Sequence, residues 1–239
     1  MPDPLRPLLD LEGVAAAAKS AQAAVFAVHR LPANLRGGAA TAAEASVRAA
    51  RASAGIDGAN PELPEAGVTD PVLAGSLRAA EALESLLPTW RRAPMQALAR
   101  LHVLAAADFI SDPDALGRPV RAGARLEMLA QLITGATSVP GPVLTAVVHG
   151  ELLALKPFGT ADGVVARAAA RLSMVATGLD PKSLTVPEVA YFRRVPKYLE
   201  LAEGFASGKP DGVREWMLFC CAAFEAGARE AKSISDAAG

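Results

Sequence analysis

The stretch LEGVAAAAKSAQAAVFAVHR, from Leu11 to Arg30, is crowded with alanine and carries no proline. Alanine gives up the least entropy of any residue on entering a helix, so such a run is strongly biased to helix. The same composition recurs in AATAAEASVRAARASA over 39–54. Nowhere does the apolar–polar alternation of a half-buried strand persist over a convincing length. Hydrophobic residues make up 51% of the 239 positions but aromatics only 5%. That balance favours helices closing on one another across small side chains. The expected fold class is all-α.

Punctuation divides the chain. A helix is expected from about Asp10 to Arg30, ended by LPANLRGG, and a second over 39–54, stopped at Gly55 or Gly58. GANPELPEAGVT reads as a loop. Asp70 before Pro71 is a capping side chain followed by proline in the first turn, so a helix should run from there to about Leu87. Further helices are expected over 94–109, 123–134, from Pro140 and Pro142 to about Leu155, over 163–177 with Gly178 as terminator, over 196–206 and over 211–232. Residues 1–8 are expected to be loose. ISDPDALGRPVRAG reads as irregular, and LDPKSLTVPEVAYFRRVP as short turns.

A net charge of −1 gives no basic excess for nucleic acid. No charge-free apolar run is long enough for a membrane span, and acids and prolines interrupt the start where a leader would need an apolar core. Cys220 and Cys221 are adjacent in WMLFCCAAF and read as reduced core residues of a cytoplasmic protein. His29, His102 and His149 have no metal-ligand spacing, so no metal site is expected and each is taken as a packing or surface residue.

The chemistry-bearing stretch is LKPFGTADGVVARAAARL, Leu155 to Leu172. Phe158, Gly159, Thr160, Ala161, Asp162 and Gly163 run directly into a helix start, where unpaired amides and the positive end of the helix dipole favour an anion. Lys156 stands at the entrance. Arg167 lies one turn inside, with Arg171 its i+4 neighbour. These residues fit a phosphate cradle. Taken alone, they are read more plainly as a connector with Asp162 as N-cap.

The wider pattern resembles the Fic/Doc (Fido) family, whose signature is H-P-F-x-[D/E]-G-N-G-R-x-x-R. Pro157, Phe158, Gly163 and Arg167 match it, and His149 has the family's upstream helix position. The likeness runs over about 100–225. It implies a Fido-like helical core over 66–239 with an N-terminal layer over 1–65. That layer carries SAGIDG, which resembles the family's inhibitory [S/T]-x-x-x-E-[G/N] motif through Ser53, Asp57 and Gly58, with aspartate for glutamate. By that resemblance Asp57 should pair with Arg167. The family transfers AMP from ATP with magnesium onto a protein hydroxyl, which implies a nucleotide ligand and a protein target. LGRPVRAG, from Leu116 to Gly123, occupies the place of the family's peptide-aligning flap.

Four positions depart from the signature. Its histidine, the general base, is Lys156 here, and an unperturbed lysine is protonated at pH 7. Its metal-holding acid is Thr160, a poor sole anchor for a hard cation. Its asparagine is Asp162, which sets a negative charge where phosphate should lie. Its first arginine is Val164. The expectation is a catalytically impaired Fic-like protein that acts by binding a nucleotide, another phosphate ligand or a protein partner. The alternative is an active adenylyltransferase with altered catalytic residues. Tyr191, Arg193, Arg194 and Tyr198 are read as packing or as a partner contact. Homo-oligomerisation is left open.

Overall fold

The computed structural model describes residues 3–35, 38–121 and 123–238. Met1 and Pro2 of the leading stretch and Ala122 of LGRPVRAG lie outside them. Among the described residues all regular structure is helical: α1 (Val14–His29), α2 (Pro32–Leu35), α3 (Ala39–Ile56), α4 (Pro71–Glu81), α5 (Leu83–Arg92), α6 (Pro94–Ala106), α7 (Ala124–Gln131), α8 (Gly141–Leu155), α9 (Asp162–Ala176), α10 (Pro187–Phe192), α11 (Val195–Ala206) and α12 (Pro210–Ala238).

The centre is α8. Pro142 through Gly150 are all buried, as expected of a helix apolar on every side. It is wrapped by α9, α11 and α12. Gly150 lets aromatic rings close on it, since a Cβ there would lie 2.7 Å from the Phe205 ring and 2.8 Å from Trp216 Nε1. The Trp216 indole instead donates to the Ala146 carbonyl at 2.9 Å. Helix α1 lays the stripe Val14, Ala18, Ala21, Val25 and Val28 along α12. Helix α3 rests on α4 and α10, which brings its C-terminal end to the start of α9.

Several boundaries differ from the sequence reading. Residues 6–10 form a short 3-10 helix rather than a loose end. The Asp3 carboxylate ties this segment down by accepting from the Ser138 amide at 2.6 Å, Thr137 Oγ1 at 2.8 Å and the Leu5 amide at 2.9 Å. The Ser138 amide is the main reason Asp3 stays well below the usual carboxylate range. The helix capped by Asp70, whose Oδ1 accepts from the Leu73 amide at 2.9 Å, stops at Glu81. No glycine or proline marks the break at Ala82; both helices lie on α6 and α9, but only α4 also packs along α3. After α7, a wide turn over 132–136 replaces regular helix, with Gly135 at φ 115°. The expected turns near 187–192 contain α10, started by Pro187.

Helices α4 and α6 meet at Gly75, where a Cβ would run into the Ala105 carbonyl. Gly75→Ala should destabilise the fold by about 1–3 kcal/mol, because backbone cannot yield as a flexible side chain does. Denaturant titration with an unchanged m-value checks this.

Candidate anion site at the α8–α9 loop

The loop is a sharp corner, built by left-handed residues. Lys156 closes α8 at φ 45°, Gly159 lies at φ 78° and Ala161 at φ 52°. Lys156, Gly159 and Thr160 are exposed, while Pro157 and Phe158 are buried. The Phe158 ring stacks on His102 of α6 with centroids 4.2 Å apart and planes 5° apart. His102 fixes the loop in a second way. Its Nδ1 accepts from the Gly117 amide at 2.9 Å, so Nε2 carries the hydrogen and donates to Thr160 Oγ1 at 3.1 Å. Burial lowers the His102 pKa, which keeps this neutral tautomer. The Pro157 carbonyl accepts from the Val120 and Arg121 amides at 2.8 and 3.1 Å, so LGRPVRAG holds the loop through its backbone.

Asp162 does not cap α9 as the connector reading required. Ala161 holds the N-cap position. The Asp162 carboxylate instead turns back and accepts from the Phe158 amide at 2.9 Å. Burial raises its pKa, opposed by the Phe158 and Gly159 amides and by the charges of Arg121 and Lys156. An amide that could have met an outside anion is thereby spent on the loop's own carboxylate.

One turn on, Arg167 is 2% exposed. Its Nε donates to Ser53 Oγ at 2.8 Å; its Nη2 donates to the Ser53 carbonyl at 3.0 Å and to Asp57 Oδ2 at 2.7 Å. Nη1 reaches the Tyr198 hydroxyl at 3.4 Å. Burial opposes the charge, yet Asp57 and Tyr198 more than offset it and the pKa ends above the ordinary arginine value. The pairing of Ser53 and Asp57 with Arg167 is thus present. Gly58, at φ 95°, lets the chain leave α3 immediately after Asp57. A Cβ on Gly163 would lie 2.7 Å from both Asp57 oxygens, so the carboxylate sits over the first turn of α9 and only glycine fits beneath it.

Other sequence assignments need correcting. Arg171 does not flank the loop. It is buried and drawn away to Glu188 at 3.0 Å, the Thr185 carbonyl at 2.9 Å and Ser183 Oγ at 2.9 Å. His149 lies behind Arg167 rather than behind the loop, with Nε2 2.8 Å from the Tyr198 hydroxyl. Tyr191 and Tyr198 are buried while Arg193 and Arg194 are exposed, so that cluster divides into core and surface. Cys220 and Cys221 are free and buried, and burial pushes the Cys221 thiol up to about 12. Among the described residues no group of three or more His, Cys, Asp or Glu could hold a metal ion. Sequence reading took His102 and Tyr198 as packing residues and gave neither a part in the site. His102 stands far from Phe158 and Thr160 in the chain, and only the packing of α6 brings them together.

A crystal structure of a Fic family protein from Desulfovibrio desulfuricans G20 superposes with a TM-score of 0.73 over 93% of this chain and 74% of that one. The fold is that of a Fic family protein. Sequence identity is 18%, a level at which the likeness speaks for the fold. No family model matches the chain, and no curated protein does. Within this Fic-like fold the α8–α9 corner carries the stretch that resembles the family's signature.

The His149 pKa is lowered to about 3, chiefly by burial and then by Arg167. In the unfolded chain the same group titrates near the ordinary value of 6.5. Between these values the unfolded state binds a proton that the folded state does not, so stability is full above pH 6.5 and falls as pH drops toward 3. The slope should approach about 1.4 kcal/mol per pH unit for this group. His149→Gln should flatten the dependence between pH 6 and 4, measured by denaturant midpoints.

Proposed function

We propose that this chain is a catalytically impaired Fic-like protein that acts by binding, with the start of α9 as a gated site for a nucleotide or another phosphate-bearing ligand. One observation carries the reading: the buried guanidinium of Arg167 faces a helix start, and its partner Asp57 belongs to a different helix. A charge fixed on α9 and answered by a carboxylate at the end of α3 can exchange that carboxylate for a ligand anion. The Asp57 side chain is 29% exposed, so water reaches the carboxylate and an entering anion would too.

As folded, the loop does not fit a magnesium nucleotide. Asp57 lies over Gly163 and Asp162 holds the Phe158 amide. Thr160 accepts a hydrogen bond from His102 and offers no carboxylate to a cation. Phosphate could enter only after the α3 end has moved. The loop still lacks a proton acceptor at Lys156, and Val164 is 4% exposed and carries no charge toward a phosphate. Binding without efficient transfer follows.

The test is Asp57→Gly, which removes the carboxylate without filling the space. Alone it should destabilise by about 1–3 kcal/mol, since Ser53 still bonds Arg167 and the site is partly hydrated. Millimolar ATP with magnesium should then raise the melting temperature of the variant by about 3–6 °C at tenfold saturation, and the wild type by far less. Labelled ATP with cell lysate should leave no protein label in either form. No shift in the variant would retire the ligand reading and leave partner binding; a transferred label would favour the adenylyltransferase alternative.

A further inference from the structure

A groove of about 600 Å³ runs beneath the N-terminal half of α3. Its α3 wall is Ala39, Ala42, Ala43 and Ser46, small residues at helical spacing. The opposite wall is large and aliphatic: Leu83 and Leu87 of α5, Leu172 and Val175 of α9. The void exists because one wall is too small to reach the other. Its size falls within the range of small-molecule sites, and its lining is mostly apolar with a few polar groups.

The polar groups decide the sign of the ligand. Glu81 and Glu84 stand exposed at the rim. The nearby cations are spent elsewhere: Arg78 on Asp108 at 2.7 Å, and Arg48 on Glu44 and Glu230 at 2.6 and 2.7 Å. Lys182, at the other end, donates to the Asn34 carbonyl at 2.7 Å. A neutral carbonyl does not cancel the Lys182 charge, so the groove has an acidic end at Glu81 and Glu84, a basic end at Lys182 and an aliphatic floor between them.

The inner end is polar. Ala80 and Leu83 also line a crevice of about 20 Å³ that continues beneath α3 to Ser53, Ser76, Arg167, Arg171 and Glu188. That volume holds one water and no more. Ser76 Oγ and Arg171 Nε are buried there without a partner. A ligand in the groove would thus touch the face of α3 whose far end carries Ser53 and Asp57, without reaching Arg167 itself.

We propose that this groove is a binding site for an apolar cation, an aliphatic chain or ring bearing one protonated amine, and that its occupancy secures α3 on the core. The amine pairs with Glu81 and Glu84; the apolar body lies between α3 and the leucines of α5 and α9. Binding adds contacts to a helix wall that otherwise leaves space, so it favours the docked position of α3.

Decylammonium at submicellar concentration is the probe, with decyl sulfate as its anionic counterpart and the intact chain as target. Calorimetry should give one saturable site for decylammonium and at least tenfold weaker binding of decyl sulfate. Amide exchange across 39–57 should slow severalfold with the cation. Glu81→Gln with Glu84→Gln, both exposed, should erase the preference for the cation while the melting temperature stays within about 2 °C. Ser46→Leu fills the groove from α3; it should abolish decylammonium binding and hold or raise the melting temperature. No saturable binding, equal affinity for the two amphiphiles, or unchanged binding in Ser46→Leu would each overturn the proposal, as would unchanged exchange in α3.

Discussion

Arg167 is a permanent charge taken out of water, and the surroundings of the α8–α9 loop follow from the need to satisfy it. A buried guanidinium without acceptors would cost several kcal/mol. Ser53, Asp57 and Tyr198 meet that need from two other helices. Tyr198 is held in turn by a neutral His149, which burial prevents from adding a second positive charge. The end of α3 is therefore held against α9 by specific acceptors and not by its alanines alone.

The loop is closed twice by negative charge from the protein itself. Asp162 takes an amide at the start of the corner, and Asp57 lies above the first turn of α9. The two closures differ in kind. Asp162 belongs to the loop and moves only with it. Asp57 belongs to a helix whose N-terminal half spans an open groove and whose hold on α9 rests on a few polar contacts. Movement at this site is therefore expected in α3, while His102 and the 116–121 backbone keep the corner rigid.

Much of the fold was legible because its helices are marked by local chemistry. Pro71 and Pro94 each start a helix, and Asp70 caps one. Gly178 at φ 74° ends α9. The break at Ala82 was not legible, since neither neighbour disfavours helix and only the packing of α4, but not α5, along α3 tells the two apart. The partnership of Asp57 with Arg167 was readable through family likeness, because it joins two recognisable motifs. Arg171 misled for the same reason that Arg167 did not: both lie on one face at i,i+4, yet α10, poorly marked in sequence, brings Glu188 to one and not the other. His102 shows the limit most plainly, since a lone histidine in a helix carries no sign of the phenylalanine and threonine it will meet.

The central claim is that Asp57 and Arg167 are energetically coupled, so that the α9 site opens only when α3 lets go. A double-mutant cycle measures this directly, with Asp57→Asn, Arg167→Met and the pair compared by denaturant unfolding. The account predicts a coupling of about 1–3 kcal/mol. Additive effects, within about 0.5 kcal/mol, would contradict it.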